Sequence, residues 1–318
     1  MHKYILRRLL YAVPTVLGVT ALIFAIMRLL PGDPLAALFG IEYIFRFTPE
    51  ERAHMMAELG LDRPLFLQYL GWLREIASGN FGHSFFRGDN VADLIRVRGA
   101  ISVEIGVLAV ALSWLIGIPV GIVSALRPNT LMDAGARVGS VLFLAIPGFW
   151  LGLLTVIALL FWFDYKSPII NAQIWDDPWS NFQIIIAPGI VLGLGLGAYL
   201  ARMTRSSLFE ILQDDYVRTA RAKGLKERLV LARHALPNAL LPVITLSALQ
   251  LGAVLGGSVA VEKAFGVPGL GRAMVEAALE RDMTVVQNIV LLYALIFIAV
   301  NILVDLSYAW LDPRIRYE

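Results

Sequence analysis

Six long apolar segments constrain the fold of this sequence more than any other feature, because each approaches or exceeds the length needed to cross a lipid bilayer. A membrane-spanning helix takes about twenty predominantly apolar residues. In hydrocarbon, the backbone hydrogen bonds must be satisfied within the helix itself. The predicted spans are residues 9–30, 101–125, 141–163, 184–201, 243–261 and 285–308. The chain is therefore predicted to be an all-α polytopic membrane protein with six transmembrane helices.

Composition supports this class and excludes others. Hydrophobic residues make up 58% of the chain and charged residues 16%, against about 25% charged residues in soluble proteins. The net charge of +2 is too small to indicate nucleic-acid binding. The sequence has no cysteine, which excludes disulfides, thiolate metal sites and a cysteine nucleophile.

The first apolar segment is predicted to be retained as a membrane span. Lys3, Arg7 and Arg8 precede it, as in a signal peptide. However, it is longer than the usual signal core of about 7 to 15 residues and ends in Pro31-Gly32-Asp33-Pro34 without a cleavage site. The following polar stretch is predicted to form a small outer subdomain, with a helix starting at Thr48-Pro49-Glu50-Glu51.

The distribution of basic residues predicts the orientation. Lysine and arginine number 15 in the 61 residues of the predicted inner segments and 11 in the 113 residues of the predicted outer segments. Basic residues accumulate on the cytoplasmic side of membrane proteins. Both termini are therefore predicted to be cytoplasmic. The inner segments used in this comparison are 1–8, 126–137, 202–235 and 312–318.

Glycine and proline are frequent within the predicted spans, where they favour close packing and local bends. The alternative is that these residues are simply common in membrane helices. The positions are Gly117, Pro119, Gly121, Pro147, Gly148, Gly189, Gly193, Gly195 and Gly197. Arg28, Glu104 and Asp305 are predicted to lie near span ends, whereas an ion or proton relay is expected to place charges deeper. An ion-coupled secondary transporter is thus disfavoured but remains an alternative.

A basic segment between the fourth and fifth spans predicts two short helices. Asp214 or Asp215 can cap the first helix, which is predicted over residues 216–223. Gly224 supplies the left-handed residue that commonly ends a helix. A second helical run is predicted over residues 226–236, where Pro237 interrupts or kinks the chain. Tyr216, Thr219, Ala220 and Lys223 are predicted to share one face.

The same segment could be only a solvated basic loop. Its spacing, however, resembles the cytoplasmic signature of ABC importer permeases, which is Glu-Ala-Ala, three residues, Gly, nine residues, then Ile-x-Leu-Pro. In this chain Arg218, Thr219 and Ala220 take the Glu-Ala-Ala places, and Gly224 takes the glycine. His234 replaces the isoleucine, and Leu236 and Pro237 form the closing pair. In that family the segment forms the coupling helix that docks in the ATPase subunit.

Other motifs resemble the dipeptide and oligopeptide branch of that family, and together they cover nearly the full chain. They are Arg-Thr-Ala-Arg-Ala-Lys-Gly before residue 225, Leu6-Arg7-Arg8-Leu9, Leu30-Pro31-Gly32-Asp33-Pro34, and Arg281-Asp282-Met283 through Val286-Gln287. A turn at residues 265–271 precedes a predicted short outer helix. Its periodic residues are Met274, Ala277, Ala278 and Arg281.

The resemblance implies a type I ABC importer permease fold. Its predicted parts are an N-terminal transmembrane helix (1–30), an extracytoplasmic subdomain (31–96), an ABC type-1 transmembrane domain (97–308) that contains the coupling segment 202–237, and a cytoplasmic tail (309–318). The implied ATPase-docking residues are Asp215, Tyr216, Arg218, Thr219, Ala220, Arg221, Lys223, Gly224, Leu236 and Pro237.

The implied function is a cell-membrane permease subunit that forms half of a translocation pathway for short peptides. Nickel chelates, glutathione and oligosaccharides are alternative substrates within the same branch. The implied partners are a second homologous permease, two ATPase subunits, an extracytoplasmic substrate-binding protein and the lipid bilayer, with no nucleic acid. Whether the permease pair is homomeric stays open.

The sequence lacks the residues that would make this chain an enzyme by itself. It contains no Walker loop to hold ATP phosphates, so ATP and Mg are expected on the partner ATPase and no cofactor on this chain. His2, His54, His83 and His234 are scattered without metal-ligand spacing. Ser258 lacks the Gly-x-Ser-x-Gly setting of a hydrolase nucleophile, which disfavours an intramembrane hydrolase.

Overall fold

Helices dominate the chain. The computed structural model describes residues 2–29, 35, 47–58, 60–168 and 170–311. The predicted Pro31–Pro34 motif, residue 30, residues 36–46 of the predicted outer subdomain, residues 312–318 of the predicted tail and the side chain of Asp305 lie outside this description. The helices in chain order are α1 (His2–Leu29), α2 (Pro49–Glu58), α3 (Leu65–Ala77), α4 (Val91–Leu126), α5 (Leu131–Ala145), α6 (Gly148–Phe163), α7 (Pro178–Ile211), α8 (Asp215–Ala222), α9 (Glu227–Val230), α10 (Leu236–Phe265), α11 (Leu270–Glu280) and α12 (Met283–Leu311).

Several helices are long and apolar enough to cross a membrane. Within the described ranges these are Leu10–Leu29, Val91–Leu126, Pro178–Ile211, Glu227–Ser247 and Met283–Leu303. Helices α5 and α6 make a sixth span if they count together. The multi-pass membrane architecture predicted from the apolar segments is thereby confirmed.

The third predicted span is wrong as a single helix. Residues 141–163 are divided between α5 and α6, which meet at an angle of 98°. Ile146 has an extended backbone with ψ 122°. Proline disfavours helical backbone at the residue before it, so Pro147 accounts for the break. Hydropathy alone does not register this bend, because both helices are apolar.

Other spans exceed their predicted limits. Helix α4 begins at Val91 instead of residue 101, and α7 ends at Ile211 instead of residue 201. The added turns carry charged side chains, which a hydropathy profile leaves out although they are compatible with a helix. As a result, the last turns of α7 form the beginning of the predicted coupling segment 202–237.

Two compact units make up the chain, and the first contains Ile101–Gly271 and the residues from Ala299 onward. Within it α4 packs closely on α7. A Cβ on Gly117 would lie 2.5 Å from the Gly197 carbonyl oxygen, and one on Gly121 would lie 2.6 Å from the Ala201 carbonyl oxygen. The close packing predicted for these glycines is confirmed, whereas a Cβ on Gly195 would meet no atom of the described chain within 4 Å.

The second unit combines His2–Ala100 with Arg272–Ile298. Its α2 begins as predicted, because Glu51 Oε2 accepts from the Thr48 amide at 2.8 Å and Thr48 Oγ1 accepts from the Glu51 amide at 3.3 Å. This reciprocal pair is a capping box. The predicted short helix is present as α11 but stops at Glu280. Arg281, predicted on its face, has φ +58° and lies beyond its end.

Candidate functional site

Helix α8 forms the centre of the predicted docking segment. Asp214 takes the N-cap position with extended backbone, but within the described residues its side chain makes no capping hydrogen bond. At the other end Lys223 is the C-cap residue. Gly224 follows with φ +77°, which confirms the predicted left-handed glycine. Its amide donates to the Arg221 carbonyl oxygen at 2.9 Å and closes the helix.

One side of α8 is buried against its own segment. Val217 and Ala220 form a small apolar cluster with Val230, and Ala220 is only 6% exposed. The cluster is surrounded by Ile211, Leu212 and Leu225. The predicted partner-facing position of Ala220 is therefore corrected. Its small side chain permits close packing, but the packing is with α9, because Val217 directs this side of the helix inward.

The other side of α8 is exposed and polar. The predicted docking residues on it are Asp215, Tyr216, Arg218, Thr219 and Lys223. Arg218 lies 3.6 Å from Asp215, and both side chains are mostly in solvent. An exposed pair of this kind contributes little to stability. Asp215 and Arg218 are therefore available to a partner at little structural cost.

Arg221 joins the two short helices. Its Nη2 donates to Glu227 Oε1 at 2.7 Å and its Nε to Glu227 Oε2 at 3.1 Å. A third bond reaches the Leu212 carbonyl oxygen at 3.3 Å. The hydrogen bonds to Glu227 raise the pKa of Arg221 above its ordinary value. Arg221 thus supports the segment from within, whereas Arg218 forms a solvent-exposed pair with Asp215.

The irregularity predicted at Pro237 takes the form of a π turn directly before this residue, and the helix continues through the proline. Residues Leu231–Ala235 form a single π-helical turn, after which α10 begins at Leu236. Proline is tolerated in the first turn of a helix, where its missing N–H leaves no broken bond. Leu236 packs on a buried cluster, and Pro237 is exposed.

Tyr216 ties α8 to this π turn. Its hydroxyl donates to the His234 carbonyl oxygen at 3.3 Å and accepts from Asn238 Nδ2 at 2.9 Å. His234 therefore contributes a backbone oxygen here. Within the described residues, no three His, Asp or Glu side chains converge as a metal site.

A buried ion pair that the sequence analysis did not identify anchors α7. The Asp133 side chain is fully buried, and it accepts from Arg205 Nε at 2.7 Å and Arg205 Nη2 at 3.1 Å. Ser124 Oγ and the Asn129 amide also donate to it, at 2.6 and 3.0 Å. The pair joins α5 to the last turns of α7, which begin the coupling segment 202–237. In the sequence, Asp133 and Arg137 stand four residues apart, a spacing that indicates an ordinary ion pair on an exposed helix surface. It gives no sign of the contact with Arg205.

Glu262 is a second buried carboxylate missed in the sequence, because it follows directly after the predicted end of the fifth span. It is fully buried and accepts from Ser102 Oγ at 2.8 Å and Ser258 Oγ at 3.0 Å. Ser102 Oγ in turn accepts from the Leu270 amide at 2.8 Å. Ser258 thus donates its hydroxyl to a buried carboxyl group.

A charged cluster holds α11 in the second unit. Glu276 accepts from Arg272 at 2.7 Å, from Arg87 at 3.1 Å and from Arg98 at 3.3 Å. Burial by itself raises the pKa of this carboxyl group, but the hydrogen bonds from Arg272 and Arg87 outweigh it and lower the pKa to about 2. Glu276 is therefore ionised near neutral pH.

Comparison with known proteins identifies the kind of chain that carries these features. Residues 117–317 match the model of the binding-protein-dependent transport system inner membrane component. Residues 1–105 match the N-terminal model of the same membrane components. The oligopeptide transport system permease protein AppB of Bacillus subtilis is 39% identical over 322 residues, and the dipeptide transport system permease protein DppB of Escherichia coli K12 is 37% identical over 341 residues. Both comparisons cover all of each chain.

Solved structures support the fold. An amino acid ABC transporter chain matches with a TM-score of 0.54 and 17% identity, covering 68% of this chain and 93% of the other. A chain of the inward-facing MetNI methionine ABC transporter matches with a TM-score of 0.55 and 18% identity, covering 69% and 96%. The helical arrangement is therefore that of ABC importer membrane subunits.

Proposed function

This chain belongs to the binding-protein-dependent transport system inner membrane components, and from that premise we propose that it is the permease subunit of an ATP-driven importer of short peptides. The full-length likeness to an oligopeptide and a dipeptide permease supports the substrate class. The observation that carries the coupling role is α8, a short helix packed against its own segment on one side and exposed with polar side chains on the other.

The proposed assembly contains a second homologous permease, two ATPase subunits that hold ATP and Mg, and an extracytoplasmic substrate-binding protein. Both termini of this chain lie in the cytoplasm, and residues 31–96 form a subdomain on the extracytoplasmic side whose helix α3 packs along α1. The excess of basic residues in the predicted inner segments supports this orientation.

Within the docking segment, we assign two kinds of role. Asp215, Arg218, Thr219, Lys223 and Pro237 face the ATPase, because their side chains are exposed. A separate set supports the segment: Tyr216, Ala220, Arg221, Gly224 and Leu236. Their contacts or backbone geometry lie within this chain.

Reconstitution tests the function directly. The chain is placed in liposomes with its partner permease and ATPases, and the binding protein is added with peptide. We expect peptide-stimulated ATP hydrolysis together with peptide uptake. Uptake by the purified chain alone, driven by an ion gradient, would instead support a secondary transporter. If the binding protein binds nickel chelates, glutathione or oligosaccharides and no peptides, peptides are excluded as the substrate.

Neighbouring substitutions on α8 test the docking face. Thr219→Trp adds bulk on the exposed side, so we expect ATP hydrolysis to continue while uptake falls, with unfolding unchanged. Ala220→Trp adds the same bulk to the buried cluster with Val217 and Val230, where overpacking costs about 1–3 kcal/mol or more. We expect this variant to unfold at a lower temperature. Uptake by Thr219→Trp at the parental rate, at matched expression, would remove the exposed side from the docking surface.

A further inference from the structure

A cavity of about 550 Å³ lies within the unit formed by His2–Ala100 and Arg272–Ile298. It is bordered by the end of α1, by α3, by the segment 80–86 and by the start of α12. This volume is in the range typical of small-molecule sites, about 300–1,000 Å³. Its polar lining includes Arg28, Gln68, Trp72, Glu75 and Gln287.

Four buried polar atoms at this cavity lack a hydrogen-bond partner within the part of the chain that the structure describes. They are Arg28 Nε, Gln68 Oε1, Trp72 Nε1 and Gln287 Nε2. Gln287 is only 5% exposed. Buried polar groups in folded proteins are normally paired with protein, ordered water or a ligand, so these four atoms are the groups that a ligand in this cavity would engage.

The unpaired atoms define the chemistry of that ligand. The amide nitrogen of Gln68 already donates to the carbonyl oxygens of Leu61 and Arg63, at 3.1 and 2.7 Å, which leaves its oxygen to accept a bond. Arg28, Trp72 and Gln287 each offer an N–H donor. Three arginines, Arg28, Arg63 and Arg281, line the cavity against one carboxylate, that of Glu75. An anion with several acceptor oxygens that also carries a hydroxyl group would pair with all four atoms.

The position of the cavity relative to α1 indicates the source of this anion. Phe24 and Arg28 lie in the last two turns of the candidate span Leu10–Leu29. The Tyr69 hydroxyl on α3 is 2.9 Å from Thr20 Oγ1 and donates to the Leu17 carbonyl oxygen at 3.2 Å, so α3 lies alongside the span and not beyond it.

The exposed surface of α3 fits the same location. Leu65, Phe66, Leu67 and Leu70 are between 44% and 67% exposed. An apolar helix surface beside a membrane span is stabilised by acyl chains. Arginine and tryptophan at the end of a span are typical of the level of the lipid headgroups.

We propose that this cavity binds the headgroup of an anionic phospholipid. The phosphate oxygens accept from Arg28, Trp72 and Gln287, and a headgroup hydroxyl donates to Gln68 Oε1. The lipid belongs to the leaflet at the C-terminal end of α1. The proposal goes beyond the transport function and does not depend on it.

Native mass spectrometry of the full chain, purified in mild detergent, tests the site. Phosphatidylglycerol and phosphatidylethanolamine with identical acyl chains are supplied in equal amounts. We expect phosphatidylglycerol to be retained about tenfold better, since the three arginines at the cavity repel the ammonium group that phosphatidylethanolamine carries besides its phosphate. Arg28→Gln is expected to reduce its retention about tenfold. Arg74→Gln removes the same charge from an exposed position on α3 outside the cavity and should retain the lipid.

Trp72→Phe gives a second variant in case Arg28→Gln does not fold. It removes the indole N–H and keeps an aromatic ring beside Phe24, whose ring centroid lies 6.3 Å from that of Trp72. We expect a loss of a few fold in phosphatidylglycerol retention. Equal retention of the two lipids, or an equal loss in Arg74→Gln, would overturn the proposal. Displacement of the lipid by inorganic phosphate alone would assign the cavity to a soluble anion. Lipid retention is measured without ATPase or peptide. A negative result therefore counts against the lipid site alone and does not bear on the proposed transport function.

Discussion

At the scale of single residues, Gly224 shows how one backbone angle ends the docking helix. Its φ is +77°, and a Cβ built on it would meet no atom of the described residues within 4 Å, so the backbone conformation is what requires glycine. A β-branched residue held in this region is strained by on the order of 1–2 kcal/mol. We therefore expect Gly224→Val to lower the thermal stability of the purified chain and the peptide uptake obtained per ATP hydrolysed.

Gly135→Val provides the matched control. A Cβ on Gly135 also meets open space, but this residue lies within α5 and has no positive φ. It should cost less stability and leave uptake per ATP unchanged. Equal effects of the two substitutions would show that the left-handed turn at Gly224 has no particular role.

At the scale of secondary structure elements, the Asp133–Arg205 pair fixes α7 on α5. Loss of one partner from a buried pair leaves an uncompensated charge, which costs about 3–5 kcal/mol. We expect Asp133→Asn to lower the unfolding temperature strongly, and the double variant Asp133→Asn with Arg205→Gln to recover part of the loss. The exposed Asp176→Asn serves as control. A parental unfolding temperature in Asp133→Asn would show that the pair does not hold the two helices.

At the scale of the whole molecule, Glu276 joins parts of the chain that are far apart in sequence. It binds Arg87 and Arg98 from the N-terminal part of the second unit and Arg272 from α11. Its pKa of about 2 lies below the ordinary value of 4.5. A lowered carboxyl pKa contributes stability that is complete above the unfolded pKa and is lost as the pH falls from about 4.5 towards 2.

Thermal unfolding at pH 7 and pH 3 checks this expectation. Glu276→Gln should be less stable than the parental chain at pH 7 and lose less stability on acidification. Glu58 on α2 has a side chain that is 66% exposed, so Glu58→Gln should lose as much stability between pH 7 and pH 3 as the parental chain does. If Glu276→Gln loses as much stability in acid as the parental chain, the acid sensitivity originates elsewhere.

Helix positions, the capping box at Thr48 and the left-handed glycine at Gly224 could be predicted, because each depends on residues close together in sequence. Apolar runs predict spans, and a glycine after a short helix predicts its end. The sequence did not predict the limits of α4 and α7 or the bend between α5 and α6. Hydropathy measures only polarity, whereas helix length and direction depend on backbone geometry.

The membrane class, the approximate places of most spans and the family resemblance of the docking segment could all be read from the order of residues along the chain. The inward packing of Ala220 beside the exposed Thr219 could not, since Ala220 packs in a cluster with Val230 of the following helix. The tertiary structure also sets the pairing of Asp133 with Arg205 and of Glu262 with Ser102. A buried charge is stabilised by whichever partner the fold brings within hydrogen-bond distance, and sequence spacing carries no information about a partner on a distant helix.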